Sequence, residues 1–268
     1  MDRLGLLAGS GNFPIVFAKE AKKKDVKIIA FAAKDITEPG LANFVDRIHW
    51  IDVNKFKIPG FLLLLMTERI KKIVMVGKID KSVFYKKANK DNDYGEMFSV
   101  SKDNMDYSML NEITKGLKKV GVDVVAGTEY LENLLPEKGV LSRRQPSEKE
   151  NIDIEFGMRI AKEIVKLDIG QTITVKNKMI VSIEAMEGTD EVIKRATDLV
   201  GHGFTVIKLP RPNQDMRWDV PLIGPDTIKT MAQSGASVLV FESGKMYFMD
   251  RDNTINQADL NNIAIVCV

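Results

Sequence analysis

The sequence predicts an α/β protein in two parts: a parallel sheet covered by helices, then a distinct second α/β domain. Three observations predict it. At 268 residues the chain is long enough for its core to divide in two. Its first half alternates short β-branched runs with amphipathic segments, the pattern of parallel strands joined by covering helices. The stretch LLPEKGVLSRRQPSEKE then brings Pro, Gly and charge without apolar periodicity, and regular patterning starts afresh after it. The boundaries read from these signals are residues 1–132 for the first domain, 133–147 for a linker and 148–268 for the second domain.

In the first half, RLGLLAG reads as a strand, FPIVFAKEAKKK as a helix, VKIIAFAA and DRIHWIDV as strands, and IPGFLLLLMTERI as a helix feeding the strand KIVMVG. After Gly77 the chain turns polar and aromatic, an excursion from Ile79 to Phe98. The helical MDYSMLNEITKGLKKVG and a last strand, VDVVAG, follow. The second half opens with the amphipathic helix DIEFGMRIAKEIVKLD, a hairpin of QTITV and KMIVSIEAM turning at Lys176 to Lys178, and a helix DEVIKRATDLV with Thr189 as N-cap. The strand FTVIKLP, the polar segment RPNQDMRWDVP, a helix from Pro225 and the strands SVLVFES, KMYFMD and IAIVCV complete it.

Composition narrows the function. With 44% hydrophobic and 28% charged residues the chain is an ordinary globular protein rather than a disordered one. Thirty-nine basic residues against 37 acidic ones, spread along the chain, leave a formal charge of +2 and argue against nucleic-acid binding by bulk electrostatics. The single cysteine, Cys267, excludes an intrachain disulfide and a cysteine zinc cluster, and in NNIAIVCV it reads as a buried strand thiol. The start MDRLGLLAG lacks the apolar region of a signal peptide, and no stretch approaches the ~20 apolar residues of a membrane-spanning helix, so a cytoplasmic location is expected. The leucine-rich apolar run Phe61 to Met66 reads as part of a covering helix and leaves a peripheral membrane contact open.

Four motifs could carry chemistry. Gly9, Ser10, Gly11 and Asn12 in GLLAGSGNFP form a glycine-rich strand-to-helix turn, whose N–H groups suit a phosphate. As a dinucleotide fingerprint it is defective: Pro14 replaces the third glycine, and VKIIAFAAKD places Lys34 before Asp35. Lys78, after KIVMVG, stands where open α/β sheets bind ligands, and reads equally as a phosphate contact or a solvated loop lysine. Glu184, Glu187, Thr189 and Asp190 crowd a turn at Gly188; they could offer oxygen ligands to Mg²⁺ or cap a helix, and both readings stand.

The fourth motif is the most concentrated, with Lys208, Gln214, Asp215, Arg217 and Asp219 set between prolines in KLPRPNQDMRWDVPLIG. An acid that binds metal or orients water, beside an arginine that neutralises phosphate oxygens, suits pyrophosphate hydrolysis. A structural Arg217–Asp219 ion pair is the alternative. His49 and His202 lack metal-ligand spacing, and no G-x-S-x-G elbow is present.

Together GLLAGSGNFP, VGK, LDIGQTITV, IEAMEGTDEVIKR and KLPRPNQDMRWDVPLIGPDTI resemble the LpxI-type UDP-2,3-diacylglucosamine pyrophosphatases, nearly end to end. The resemblance implies a Rossmann-like parallel-sheet domain, a distinct C-terminal α/β domain, and a Mg²⁺-dependent hydrolase of lipid A biosynthesis in a Gram-negative bacterium. Its products would be 2,3-diacylglucosamine 1-phosphate (lipid X) and UMP, from water attack at the sugar-side phosphorus. The family's essential aspartate maps best onto Asp219, with Asp215 its neighbour. The candidate catalytic residues are thus Asp219, Asp215 and Arg217; the metal ligands Asp219, Glu187 and Asp190. Substrate binding falls to Gly9, Ser10, Gly11, Asn12, Lys78, Gln171, Thr189, Asp190, Lys208 and Gln214. The partners expected are the UDP-linked diacylated glucosamine, the inner membrane as a peripheral contact, and a second copy in a homodimer, with no nucleic acid. The rival readings are an NAD(P)-dependent oxidoreductase and a non-catalytic UDP-sugar or lipid-binding protein.

Overall fold

Strands β1 (Arg3–Ala8), β2 (Lys27–Ala33), β3 (Arg47–Ile51), β4 (Lys72–Val76) and β5 (Asp123–Val124) run parallel in the order β3-β2-β1-β4-β5. The structure, a computed structural model, describes residues 3–53, 55–77, 105–217 and 220–268, with side chains from 110 onward in the third span except 112. The expected excursion from Ile79 to Phe98 lies outside the described residues. In β2 the five residues from Ile28 to Ala32 are all buried, because helices cover both faces, as a parallel sheet requires. On one face α1 (Phe13–Lys22) buries Phe17, Ala18 and Ala21, with Phe17 set edge-on to Tyr130. On the other, α2 (Ile58–Thr67) and α3 (Met105–Lys119) supply Leu65 and Leu117 to a core with Ile29, Phe31, Ile73 and Val124.

The second sheet is mixed. Its order is β6 (Gly139–Val140), β13 (Ala264–Cys267), β11 (Val238–Phe241), β9 (Thr205–Lys208), β7 (Thr172–Lys176) and β8 (Met179–Ile183). The central β13, β11 and β9 are mutually parallel; β6 pairs antiparallel with β13, β7 antiparallel with β9, and β8 antiparallel with β7. Helix α4 (Glu148–Lys166) covers one face through Ala161 and Val165; α5 (Thr189–Val200), α6 (Pro225–Gln233) and α7 (Arg251–Leu260) cover the other through Ile193, Ile228 and Ala258. A two-stranded parallel ribbon joins β10 (Leu222–Ile223) to β12 (Tyr247–Phe248). By contacts the chain divides into Met1–Glu132 with Met216–Asp219, and Asn133–Asp215 with Val220–Val268.

Local chemistry explains the boundaries. Within 133–147, read as linker, Gly139–Val140 pair with β13, and the Ser142 hydroxyl accepts the Ile265 N–H at 2.8 Å. Helix α4 begins at Glu148, earlier than the apolar pattern suggested, because Ser147 and Glu150 close a capping box. Glu150 also accepts from Ser237 at 2.7 Å and pairs with Arg144 at 2.5 Å. The expected hairpin turns at Asn177 and Lys178, both left-handed, whose N–H groups donate to the buried Asp153 of α4 at 2.9 and 2.6 Å. Cys267 is buried in β13, and burial pushes its thiol up from the ordinary value. Helix α7 was not anticipated: RDNTINQADL buries only Thr254 and Ala258, so it carries no apolar stripe to read. Among the described residues no helix is long and apolar enough to cross a membrane.

At the amino ends of the first sheet a single acid collects three bases. The Glu68 side chain, 4% exposed, is met by Arg47 at 2.8 Å, His49 at 2.8 Å and Arg3 at 3.6 Å. His49, read as strand packing, also stacks on Phe31. The Arg47 hydrogen bond, with help from His49, holds the Glu68 carboxyl below its ordinary 4.5. A carboxylate with a lowered folded pKa stabilises the fold above its unfolded value, and that contribution disappears as pH falls below about 4.5. Glu68→Gln should therefore lose about 2 kcal/mol at pH 7. In urea melts the gap between wild type and variant should narrow as pH falls below about 4.5; a gap independent of pH contradicts this account.

Candidate active site

In the first sheet the chain winds from β1 through β2 to β3, then crosses to β4 on the opposite side of β1. The carboxyl ends of β1 and β4 are therefore the switch point, where open α/β sheets leave a ligand crevice. The glycine-rich turn sits there. Gly9 N–H donates to Val76 O at 2.8 Å, and the buried Thr37 hydroxyl donates to Ala8 O at 2.7 Å, fixing the strand ends. Gly11 takes φ 85° and Asn12 starts α1 without a side-chain cap, both exposed, with Ser10 half-buried. Gly77, at φ 94°, packs so closely that a Cβ would lie 2.8 Å from Ser10 O and 2.9 Å from Gly9 C. Only glycine meets both demands, so the two turns at the switch point are held as one unit. Lys78 lies outside the described residues.

In the second sheet the register assembles the other predicted residues at one edge. Thr172 pairs with Lys208 of β9, while Glu184 N–H donates to Thr172 O at 2.8 Å. Glu184, Thr172 and Lys208 thus form a row across β8, β7 and β9 on the face covered by α5. A carboxylate only accepts, so the Thr189 hydroxyl donates to Glu184 Oε1 at 3.1 Å, and the Thr172 hydroxyl donates to Thr189 at 3.2 Å. Glu184 Oε2 is buried with no hydrogen-bond partner among the described residues, as is Gln171 Oε1 at the strand entry. Lys208 Nζ donates to Leu222 O at 3.2 Å. Gly170 lets these segments meet: a Cβ there would lie 2.0 Å from Glu184 O.

This geometry revises one reading of the turn. Gly188, at φ 85°, is the N-cap of α5, and Thr189 is its first helical residue. The Thr189 hydroxyl is consequently spent on Glu184 rather than on capping. Asp190 is exposed in the first turn. Glu187 pairs with Arg195 at 2.7 Å and accepts Ala185 N–H at 3.0 Å. Its own backbone N–H, then Ala185 and Arg195, hold its carboxyl below the ordinary value. Sequence reasoning noticed Glu184 in the crowd but left it out of the site; its alternation with Thr172 across a hairpin was the available signal.

The loop after β9 is tied down at its start. Arg211 pairs with Asp168 at 2.6 Å, and Lys245 Nζ donates to Pro212 O at 3.2 Å. Gln214 and Asp215 follow, half-buried, in the second unit, whereas the half-buried Arg217 is grouped with the first. Asp219 lies outside the described residues. Among the described residues no group of three or more His, Cys, Asp or Glu could enclose a metal. A single buried carboxylate oxygen without a donor, as at Glu184, still fits Mg²⁺, which is commonly held by one or two carboxylates plus substrate phosphates.

Comparison with known proteins agrees with the two-part fold. The family models described as LpxI N-terminal domain and LpxI C-terminal domain match residues 3–134 and 137–266. The UDP-2,3-diacylglucosamine pyrophosphatase LpxI of Caulobacter vibrioides is 26% identical over 269 residues, covering 97% of this chain and 95% of that protein. Among solved structures, an L-amino acid ligase from Bacillus licheniformis shares 8% identity at a TM-score of 0.27, over 70% of this chain and 40% of its own. A phosphoribosylglycinamide synthetase from Anaerococcus prevotii shares 15% at 0.26, over 76% and 44%. Such low scores support no functional comparison.

The contact at the switch point is testable. Gly77→Ala should lower stability by about 2–3 kcal/mol, from backbone strain plus the clash with Ser10. Gly121→Ala has a similar φ of 79° but open space around its Cβ, and should lose only about 1 kcal/mol. Equal losses in chemical denaturation would show that the Gly77 contact adds nothing.

Proposed function

The chain belongs to the LpxI family, and on that premise we propose that it hydrolyses the pyrophosphate of UDP-2,3-diacylglucosamine to 2,3-diacylglucosamine 1-phosphate (lipid X) and UMP, in lipid A biosynthesis. The observation that carries the proposal is the pair of family domains in sequence, residues 3–134 and 137–266, each with its predicted ligand-facing elements at the carboxyl edge of its parallel strands. The enzyme acts in the cytoplasm and takes an amphiphile from the inner membrane as a peripheral protein.

The chemistry needs charge neutralised at two phosphates and a water aimed at the sugar-side phosphorus. Asp219 orients that water and accepts its proton. Arg217 offsets charge on the phosphate oxygens, so UMP leaves, and Asp215 and Gln214 position the loop that carries it; Lys208, at the end of β9, is a further cation for a phosphate. Thr189 and the first turn of α5 present N–H groups to an anion, and the Gly9–Asn12 turn does the same at the start of α1. Glu184 and Asp190 would hold Mg²⁺, while Glu187 serves Arg195. Bound there, Mg²⁺ would act as a Lewis acid on the phosphate oxygens. The exposed Ile169 and Met186, on the two segments that Gly170 brings together, offer acyl chains an apolar rim.

Incubating purified protein with Mg²⁺ and UDP-2,3-diacylglucosamine should release UMP, and chelation should stop it. Asp219→Asn should lower turnover roughly 10²–10⁴-fold with the fold intact by thermal melting. If wild type releases no UMP yet binds the substrate, the non-catalytic reading replaces this one; stabilisation by NAD(P)H alone would favour the oxidoreductase. Glu184→Gln should raise the Mg²⁺ concentration for half-maximal rate about tenfold or more. An unchanged requirement would remove Glu184 from the metal site.

A further inference from the structure

We propose that α2 is a docking helix whose outward face seats on an anionic phospholipid surface. Its ten residues, IPGFLLLLMT, include no charged side chain. Leu65, Phe61 and Leu62 face inward and pack on the core of the first sheet. The opposite stripe is where a surface helix normally carries charge. Here it holds Pro59, Gly60, Leu63 and Met66, with Leu63 65% and Met66 64% exposed. Large apolar side chains that a helix could have replaced with polar ones at no structural loss mark a contact surface.

Charge identifies the occupant. Lys55 and Lys57 precede the helix, and Arg69 and Lys71 follow it, all exposed. None of the four makes an ion pair among the described residues. Lys55 and Lys57 stand at the positive end of the helix dipole, so helix stability does not account for them. The acid of the same stretch, Glu68, is turned inward and satisfied by Arg47, His49 and Arg3. An apolar stripe bracketed by unpaired cations is the composition that lies in a membrane interface and binds anionic headgroups. A second copy docked through this face would set like charges against each other in a two-fold contact. The purpose of docking rests on the proposed lipid-bearing substrate; the docking itself is measured without substrate.

The full-length protein is floated with vesicles of phosphatidylglycerol and phosphatidylethanolamine, and with phosphatidylcholine vesicles, at low and high salt. Wild type should bind the anionic vesicles, and Leu63→Glu with Met66→Glu should weaken binding about tenfold or more. Lys55→Glu with Lys57→Glu should remove much of its salt sensitivity. The milder pair Leu63→Ser and Met66→Ser should fall between, with melting temperature unchanged because both sites are exposed. Absence of flotation by wild type, or equal flotation by the Leu63→Glu/Met66→Glu protein, overturns the proposal. A wild-type dimer that this double substitution splits without changing flotation also overturns it, and assigns the face to a second copy. UMP release from detergent-dispersed substrate should survive these substitutions; its absence in wild type would sink the hydrolase reading while leaving the vesicle result to stand alone.

Discussion

The site in the second unit depends on register. Strand β7 enters antiparallel between β9 and β8, and this placement sets Thr172 between Glu184 and Lys208. Side chains on a strand alternate, so a slip of one residue would send Thr172 into the α4 face and leave Glu184 facing nothing. Two devices fix the register. Asp153 of α4 holds the hairpin turn at Asn177 and Lys178, and the missing side chain at Gly170 lets the incoming segment lie against the Glu184 backbone.

The same constraint separates binding from structure among the polar residues of this edge. Thr172 and Thr189 pass their hydroxyl protons toward one oxygen of Glu184, which leaves the other oxygen buried without a donor among the described residues. Glu187, two residues from that network, is satisfied by Arg195 and backbone N–H groups. The two carboxylates are close in sequence and differ in partners, because one points into the sheet edge and the other pairs with Arg195 of α5. In the first unit the analogous work is done by backbone alone, where Gly77 locks the β4 turn onto the β1 turn.

Much of this was legible in the sequence. Alternating β-branched and amphipathic runs identified the parallel sheet of the first half, and the glycine-rich turn fell at its switch point because glycine is needed where backbones meet. Gln171, Thr172, Glu184 and Lys208 do gather at one edge of the second sheet, whereas Gln214 lies in the loop beyond β9. The hydrogen-bond network of Glu184 was not legible because it comes from a cross-strand partner, which sequence spacing does not display. Thr189 was mistaken for a cap because Ser and Thr before an acidic turn usually cap, whereas Gly188 supplied that position instead. Helix α7 was illegible because it carries no apolar stripe, and the bases around Glu68 because Arg3 and Arg47 come from distant parts of the chain.

The pairing of β6 with β13 also bears on how the protein is made. Residues Gly139–Val140 find their partners only at Val266 and Cys267, and Ser142 waits for Ile265. As the chain emerges from the ribosome, the first sheet has all five of its strands by Val124, whereas the second stays unclosed until β13 has been synthesised. During that interval β11 presents one unpaired edge and a fully apolar strand, VLVF, to the surroundings. The second unit is thus the slower and more aggregation-exposed of the two during synthesis.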